Sequence, residues 1–324
     1  MMQLDESWQP DASLAMLHQR AALLRQIREF FYARDVLEVD TPILSRFGVT
    51  DVHLSNAISY LGKDTRAWYL QTSPEYAMKR LLAAGSPSIY QLGKVFRNDE
   101  LSTRHNPEFT MLEWYRLGFT MTELIAEVDL LLQVTLNAAP AHRISYGQLF
   151  IDQLQVDIFS SNGFAGLQQA LQGFPAVAEL AARETDFDTL QQLALALIIE
   201  PRLDPSVPVI LYDYPVSQAA LAQVSAEDPR VACRFEVFYQ GMELANGYQE
   251  LTDATQQLQR FQLDQQRREQ AGLPAMAIDS RLMAALEAGL PACSGIALGF
   301  DRLLMIRTGA QHIREVLPFS ITRA

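Results

Sequence analysis

Two arginines, one aromatic ring and a set of carboxylates define what this chain could do chemically. Phe96-Arg97-Asn98-Asp99-Glu100 is followed closely by Arg104-His105-Asn106-Pro107-Glu108-Phe109. Far downstream, the segment Gly295 to Arg302 sets a second arginine behind Gly295 and Gly299. The planar donor fork of a guanidinium suits phosphate. Fixed cations also stabilise the charge that builds when an α-phosphate is attacked in line, without reorganising. With Phe109 as a platform for adenine, such a set would hold ATP bent and expose its α-phosphate. That is what activation of a carboxylic acid as an adenylate requires. Taken singly, each arginine is equally a surface salt-bridge residue; the combination with the loop carries the reading.

Three further groups bear on the same chemistry. A hairpin turning at Asn246-Gly247 would put Glu243 opposite Glu250, and like charges directly opposite each other want a cation between them. Magnesium, held by one or two carboxylates plus phosphate oxygens, would serve, as would a substrate ammonium; two solvated edge glutamates are the plainer account. Ser73-Pro74-Glu75, taken alone, is a good helix start. Glu113 and Tyr115 share one face of a strand by alternation. They would receive an ammonium there, or stand as half-exposed strand residues.

The elements that must position these groups are legible in the periodicity. Leu14, Leu17, Ala21, Leu24, Ile27 and Phe31 recur at helical spacing, and Leu37 to Pro42 reads as the strand that follows. Trp68 to Thr72 reads as a strand. Ser73 as N-cap, Pro74 in the first turn and Glu75 near the dipole open a helix whose Tyr76, Leu81 and Leu82 would face the core. Ile89 to Phe96 and Phe109 to Arg116 form a strand pair around the polar loop from Arg97 to Glu108. Thr120 and Glu123 make a capping box. From roughly 139 to 208 the pattern fades into short helices near Phe164 to Leu171 and Thr189 to Ile199, which reads as an insertion. Strands resume at Val209, and a polar helix runs from Asp253 to Ala271.

Bulk properties narrow the classes. At 324 residues with 49% hydrophobic residues, the chain can bury one large core. Its net charge of -12 argues against a general grip on nucleic acid through a basic face. Cys233 and Cys293 are the two cysteines; they stand far apart, which fits a reducing cytoplasm better than a disulfide scaffold. No apolar run reaches the ~20 residues of a membrane span, so a soluble cytoplasmic protein is expected.

In order along the chain, these pieces resemble the three signature motifs of class II aminoacyl-tRNA synthetases. The first helix with Asp40-Thr41-Pro42 looks like motif 1, Phe96 to Glu113 like motif 2, and Gly295 to Arg302 like motif 3. Phe-Arg-Asn, Arg-His-Asn-Pro-Glu-Phe-Thr-Met, Glu-x-x-Asn-Gly-x-x-Glu-Leu and Asp253-Ala254 are similar to the lysyl-tRNA synthetase catalytic domain, from Asp11 to the end. The resemblance implies an α+β class II catalytic fold: a mostly antiparallel sheet flanked by helices, forming one catalytic domain over 1–324 with the insertion at roughly 139–208. It implies an AMP-forming ligase that uses ATP and Mg2+. Arg97 and Arg302 would be catalytic. Arg97, Asn98, Asp99, His105, Asn106, Phe109, Glu243, Leu244, Gly299 and Arg302 would hold ATP, with Glu243 and Glu250 on the metal. Ser73, Pro74, Glu75, Glu113, Tyr115, Asn246, Glu250 and Ala297 would hold the amino acid.

Three departures refine the expectation. Asp99 stands where the signature carries glutamate. Ala297 replaces a glycine of lysyl-tRNA synthetases, and its methyl on the pocket floor favours a displaced amino group, as in β-lysine, over α-lysine. The motif 1 helix starts after about a dozen residues, short of the ~50 residues of a typical domain, so an anticodon-reading OB-fold is not expected ahead of it. The chain therefore resembles the truncated lysyl-tRNA synthetase-like group, the elongation factor P–lysine ligases. That implies transfer of lysine or β-lysine to a lysine of elongation factor P, a homodimer, and tRNA disfavoured as acceptor. tRNA aminoacylation, or a non-catalytic regulatory paralogue, is the alternative.

Overall fold

The computed structural model describes residues 8–63, 65–98 and 100–324; Asp99, an expected nucleotide contact, lies outside the described residues. In chain order the elements begin with α1 (Leu14–Tyr32), β1 (Leu37–Glu38), β2 (Leu44–Ser45), β3 (Ile58–Ser59), β4 (Trp68–Leu70) and α2 (Glu75–Ala83). Next come β5 (Ile89–Phe96), β6 (Glu108–Leu117), α3 (Met121–Leu136), β7 (His142–Ser145), α4 (Tyr146–Leu154), α5 (Gly163–Leu171), α6 (Ala178–Arg183) and α7 (Phe187–Ala194). The last are β8 (Val209–Pro215), β9 (Val231–Tyr239), β10 (Met242–Gln249), α8 (Ala254–Gln270), α9 (Ser280–Gly289), β11 (Cys293–Gly299) and α10 (Phe300–Thr308). The fold is α+β. The chain divides into two compact units, one holding residues up to Phe119, Val134–Leu136 and Thr252–Ala324, the other Thr120–Gln133 and Asn137–Leu251.

In the first unit the strands run β1-β5-β6-β11, with β1 parallel to β5 and the other pairs antiparallel. Strand β6 is the hub, and its alternation divides two kinds of work. Thr110, Leu112 and Trp114 point to α1: Trp114 and Tyr90 pack on Phe31, with ring centroids 5.3 and 4.5 Å away. Phe109, Met111, Glu113 and Tyr115 point to the opposite face. The inner stripe of α1 is Leu23, Ile27, Phe30 and Phe31, whereas the expected Leu14 is 71% exposed and Ala21 is exposed too. The helix is turned so that Arg20, rather than Ala21, faces inward. β1 is also shorter than the expected strand to Pro42, ending at Glu38.

In the second unit the strands run β10-β9-β8-β7, antiparallel except for the β7–β8 pair. Helices α4, α5 and α7 bury Tyr146, Phe150, Leu167 and Leu190 against Leu211 and Phe238 of the sheet. α7 runs on into a wider π-turn over Leu195–Ile199. The capping box at Thr120 and Glu123 forms as the sequence indicates. The expected hairpin forms too, but its turn lies elsewhere. β9 and β10 turn at Gln240-Gly241, where φ is 49° and 69°, the two left-handed residues of a type I′ turn. Asn246-Gly247 lies mid-strand, paired with Glu236 and Phe235.

Candidate active site

The exposed question of the first unit is what stands on the free face of β6. Register answers it: Glu113 lies between Gln91 and Ala297, Tyr115 between Ile89 and Gly295, and Met111 between Gly93 and Gly299. Opposed residues share a face. The polar pair Glu113 and Tyr115 is therefore flanked by a floor of Gly93, Gly295, Ala297 and Gly299, low enough to admit a ligand. Gly299 has an ordinary φ of −71°, and a Cβ there would meet only the Arg302 side chain at 3.7 Å or more. Neither backbone strain nor packing among the described residues demands glycine at that point, which leaves the backbone there open to a ligand.

Glu113 and Tyr115 are each 2% exposed, not half-exposed as alternation alone allowed. The Tyr115 hydroxyl donates to Glu113 Oε1 at 2.8 Å, and the Ser73 hydroxyl donates to Glu113 Oε2 at 2.7 Å. Ser73 is not the N-cap; Pro74 is, and Ser73 Oγ accepts the Glu75 N–H at 3.0 Å from one residue further out. Ser73 thereby ties the start of α2 to β6. On α2 itself the inward residues are Met78, Lys79 and Leu82, while the expected Leu81 is 37% exposed. Lys79 Nζ sits 2.6 Å from Glu75 Oε1. Sequence reasoning missed Lys79, because a lysine at a core position carries no apolar signal.

The loop between β5 and β6 holds the nucleotide candidates. The Arg97 guanidinium carbon is 5.3 Å from the Phe109 ring centroid, and its Nε is buried without a hydrogen-bond partner among the described residues. Glu100 lies 3.8 Å from Arg97. Asn98 is anchored by its backbone N–H to Ser55 O at 2.8 Å. Asn106, 3% exposed, is spent on structure: its Nδ2 donates to Glu108 O and its Oδ1 accepts the Ile321 N–H, at 2.6 and 3.0 Å. His105 Nε2 lies 2.5 Å from Arg302 Nη2, and its Nδ1 lies 2.7 Å from Ser102 Oγ. Because arginine can only donate, Nε2 accepts, and the proton of neutral His105 sits on Nδ1. Burial, then the Arg302 charge, pushes the His105 pKa down, which keeps that tautomer in place.

Arg302 occupies the first turn of α10, and that turn is fixed by a buried network. Asp301, 1% exposed, accepts Arg20 Nη1 at 2.5 Å through Oδ1 and the Thr110 N–H at 2.6 Å through Oδ2. Arg20 also donates to Thr110 Oγ1 at 2.7 Å and Val316 O at 3.1 Å. Motif 1, motif 2 and motif 3 segments thus meet at one ion pair. The inward charge at Arg20 gave no sequence signal beyond interrupting an apolar stripe.

The remaining candidates belong to the second unit. Glu243 and Glu250 are not partners across a hairpin; both lie on or just past β10, seven positions apart, an odd spacing that would put them on opposite faces of a regular strand. A bulge corrects this. Glu243 opposes Phe238 while Ala245 opposes Val237, which leaves Leu244 as an extra residue. Past the bulge Asn246 opposes Glu236 and Tyr248 opposes Arg234. Phe238, Glu236 and Arg234 alternate on one face, so Glu243, Asn246, Tyr248 and, by continuation, Glu250 share it. Glu250, 2% exposed, is kept in register by a bridge to Ala222. Asn246 Oδ1 accepts Arg234 Nε at 3.3 Å, and Arg234 pairs with Glu236. Among the described residues no cluster of three or more His, Cys, Asp or Glu is gathered for a metal, and none of the helices is long and apolar enough to cross a membrane.

The sequence profile of tRNA synthetases class II (D, K and N) matches residues 7–323. The chain is 50% identical over 323 residues to a protein of Mannheimia succiniciproducens named elongation factor P–(R)-β-lysine ligase, covering 98% of this chain and 99% of that one. Proteins of the same name from Pasteurella multocida and Pseudoalteromonas translucida are each 51% identical over 323 residues, covering 98% of this chain and 99% and 98% of theirs.

Proposed function

This chain belongs to the family of class II tRNA synthetases (D, K and N), and from that membership we propose that it activates β-lysine as an aminoacyl-adenylate and passes it to a lysine side chain of elongation factor P. It is an ATP-dependent ligase. The observation that carries the finer reading is the free face of β6. It presents a buried carboxylate and phenol over a floor of glycine and alanine, in a chain about half identical to (R)-β-lysine ligases along its whole length.

The substrate carboxylate attacks the α-phosphorus of ATP, the bond to the β-phosphate oxygen breaks, and pyrophosphate departs. Arg97 fits the α-phosphate: its buried Nε has no other acceptor among the described residues, and a planar fork stabilises the charge that develops there. Phe109 beneath it supports the adenine ring. Arg302 serves the far phosphates, and to do so it leaves the acceptor it holds now, His105. Glu243 and Glu250, on one face by virtue of the bulge, would hold magnesium, which when bound neutralises phosphate charge. Glu113, Tyr115 and Glu75 receive the ammonium groups of the amino acid. In the second step the neutral acceptor amine attacks the acyl carbon, AMP leaves, and the amine gives its proton to solvent. No side-chain nucleophile enters either step; positioning and electrostatics suffice.

Ala297 stands directly opposite Glu113, so its methyl narrows the floor where the substrate backbone would lie. That supports the β-amino isomer over α-lysine. Leu14, Tyr32 and Leu37, exposed along α1 and the edge strand β1, support a homodimer, for which light scattering gives the mass. The deciding experiment incubates the protein with elongation factor P, ATP and each lysine isomer and weighs the acceptor intact. Gain of one lysyl group, greater with β-lysine, is expected. An unmodified acceptor beside an aminoacylated tRNA in a parallel reaction would overturn the reading.

A further inference from the structure

Lysine is almost never fully buried unless paired, yet Lys79 is 2% exposed, while rotating the same helix by about half a turn would have buried Leu81 in its place. α2 is oriented to put a charge inside and a leucine outside. The charge is paired: Lys79 Nζ lies 2.6 Å from Glu75 Oε1, with the two side chains 3% and 17% exposed. Glu75 Oε2 has no hydrogen bond or ion pair among the described residues. Ser73 accepts the Glu75 N–H and donates to the Glu113 carboxylate, so one serine ties the backbone at Glu75 to the Glu113 side chain. The ammonium bonded to one oxygen of Glu75 fixes the rotamer of that carboxylate.

We infer that Lys79 is a positioning residue for the amino-acid substrate: by holding Glu75 Oε1 it aims Oε2 at the backbone ammonium of the incoming lysine. The inference rests on the reading of Glu75 as an amine-binding residue. It assigns Lys79 no contact with substrate and no part in phosphate chemistry. A purely structural ion pair predicts otherwise, since replacing one partner of a buried pair disturbs stability wherever it lies.

The test is amino-acid-dependent ATP–pyrophosphate exchange by full-length Lys79→Met. The expected result is a KM for β-lysine raised roughly tenfold or more, with the KM for ATP changed less than about twofold. An unchanged KM for β-lysine, or equal rises in both KM values, overturns the inference. Lys79→Met leaves Glu75 alone, so the pair is also compared on the Glu75→Gln background, where the double variant retains no lone buried charge. There Lys79→Met is expected to add nothing to the KM for β-lysine; a further rise of about tenfold would show that Lys79 acts elsewhere. If the unaltered protein exchanges with neither lysine isomer, the amino-acid site itself is misread and the role of Lys79 falls with it. Normal wild-type exchange with an unaffected Lys79→Met variant refutes Lys79 alone.

Discussion

Replacing Arg20 by methionine should cost about as much stability as truncating one of the buried apolar side chains of α1. The guanidinium is 11% exposed and its partner Asp301 carboxylate 2%. It gives hydrogen bonds to Asp301, Thr110 and Val316 and lies 4.8 Å from the Phe300 ring centroid. Removing one partner of a buried pair costs about 3–5 kcal/mol, because the other charge stays behind. Asp301 keeps the Thr110 N–H at 2.6 Å, which places the loss near the lower end, about 3 kcal/mol. For a chain of 324 residues that corresponds to a fall in Tm of roughly 4–5 °C. Arg20→Met, Asp301→Asn and the double variant, unfolded in urea and followed by circular dichroism, give the coupling between the two residues. The double variant leaves no stranded charge and should cost about 1–3 kcal/mol less than the two single losses together. Because Asp301 immediately precedes Arg302, the KM for ATP should rise in Arg20→Met while the KM for the amino acid holds. Additive losses, or a change within about 0.5 kcal/mol for Arg20→Met, would refute the claim that this pair fixes the start of α10.

Other outcomes follow from the same geometry. Arg97→Ala should lower adenylate formation by about 100- to 1,000-fold, read as pyrophosphate exchange; near-normal exchange would remove Arg97 from the phosphate site. His105 titrates below its ordinary 6.5 because of burial and Arg302, so the unfolded chain takes up that proton first. The His105 contribution is therefore complete above about pH 6.5 and declines as pH falls from there through the lower folded value. Urea titrations across that window should show a shallower pH slope in His105→Gln, whose amide also accepts from Arg302; an unchanged slope would deny the neutral tautomer. Ala297→Gly should move the ratio of kcat/KM for β-lysine over α-lysine towards α-lysine by about tenfold to a hundredfold, the worth of one methyl. An unmoved ratio would mean that the floor does not discriminate.

What could be read from sequence was whatever a period of two or a local cap encodes. Strand β6 is legible because Phe109, Glu113 and Tyr115 alternate with Thr110, Leu112 and Trp114, and the Thr120 and Glu123 cap is legible because its four-residue grammar is local. Asn246-Gly247 misled because asparagine and glycine tolerate positive φ without requiring it. Gln240, a residue with no turn preference, takes φ of 49° at the true corner, since the pairing of β9 with β10 fixes where the chain must reverse. The rotation of α1 and α2 was illegible for a related reason. Arg20 faces inward to meet Asp301, far away in sequence, and Lys79 to meet Glu75 on its own helix, and hydropathy counts both as surface residues. Leu14 and Leu81 then look outward, against their chemistry.

The bulge at Leu244 has a consequence for how this protein can vary. Bringing Glu243 to the same side as Glu250 depends on the pairing register and hardly at all on what residue 244 is. Another apolar side chain at that position would leave the two carboxylates aligned. Loss of the extra residue would remove the bulge with it and leave an even spacing, so both glutamates would stay on one side of a regular strand. A slip of register that irons out the bulge while keeping every residue would turn Glu243 to the opposite side and alter neither glutamate. Comparisons that score only whether both glutamates are present would miss such a change; the pairing register between them is itself part of the site.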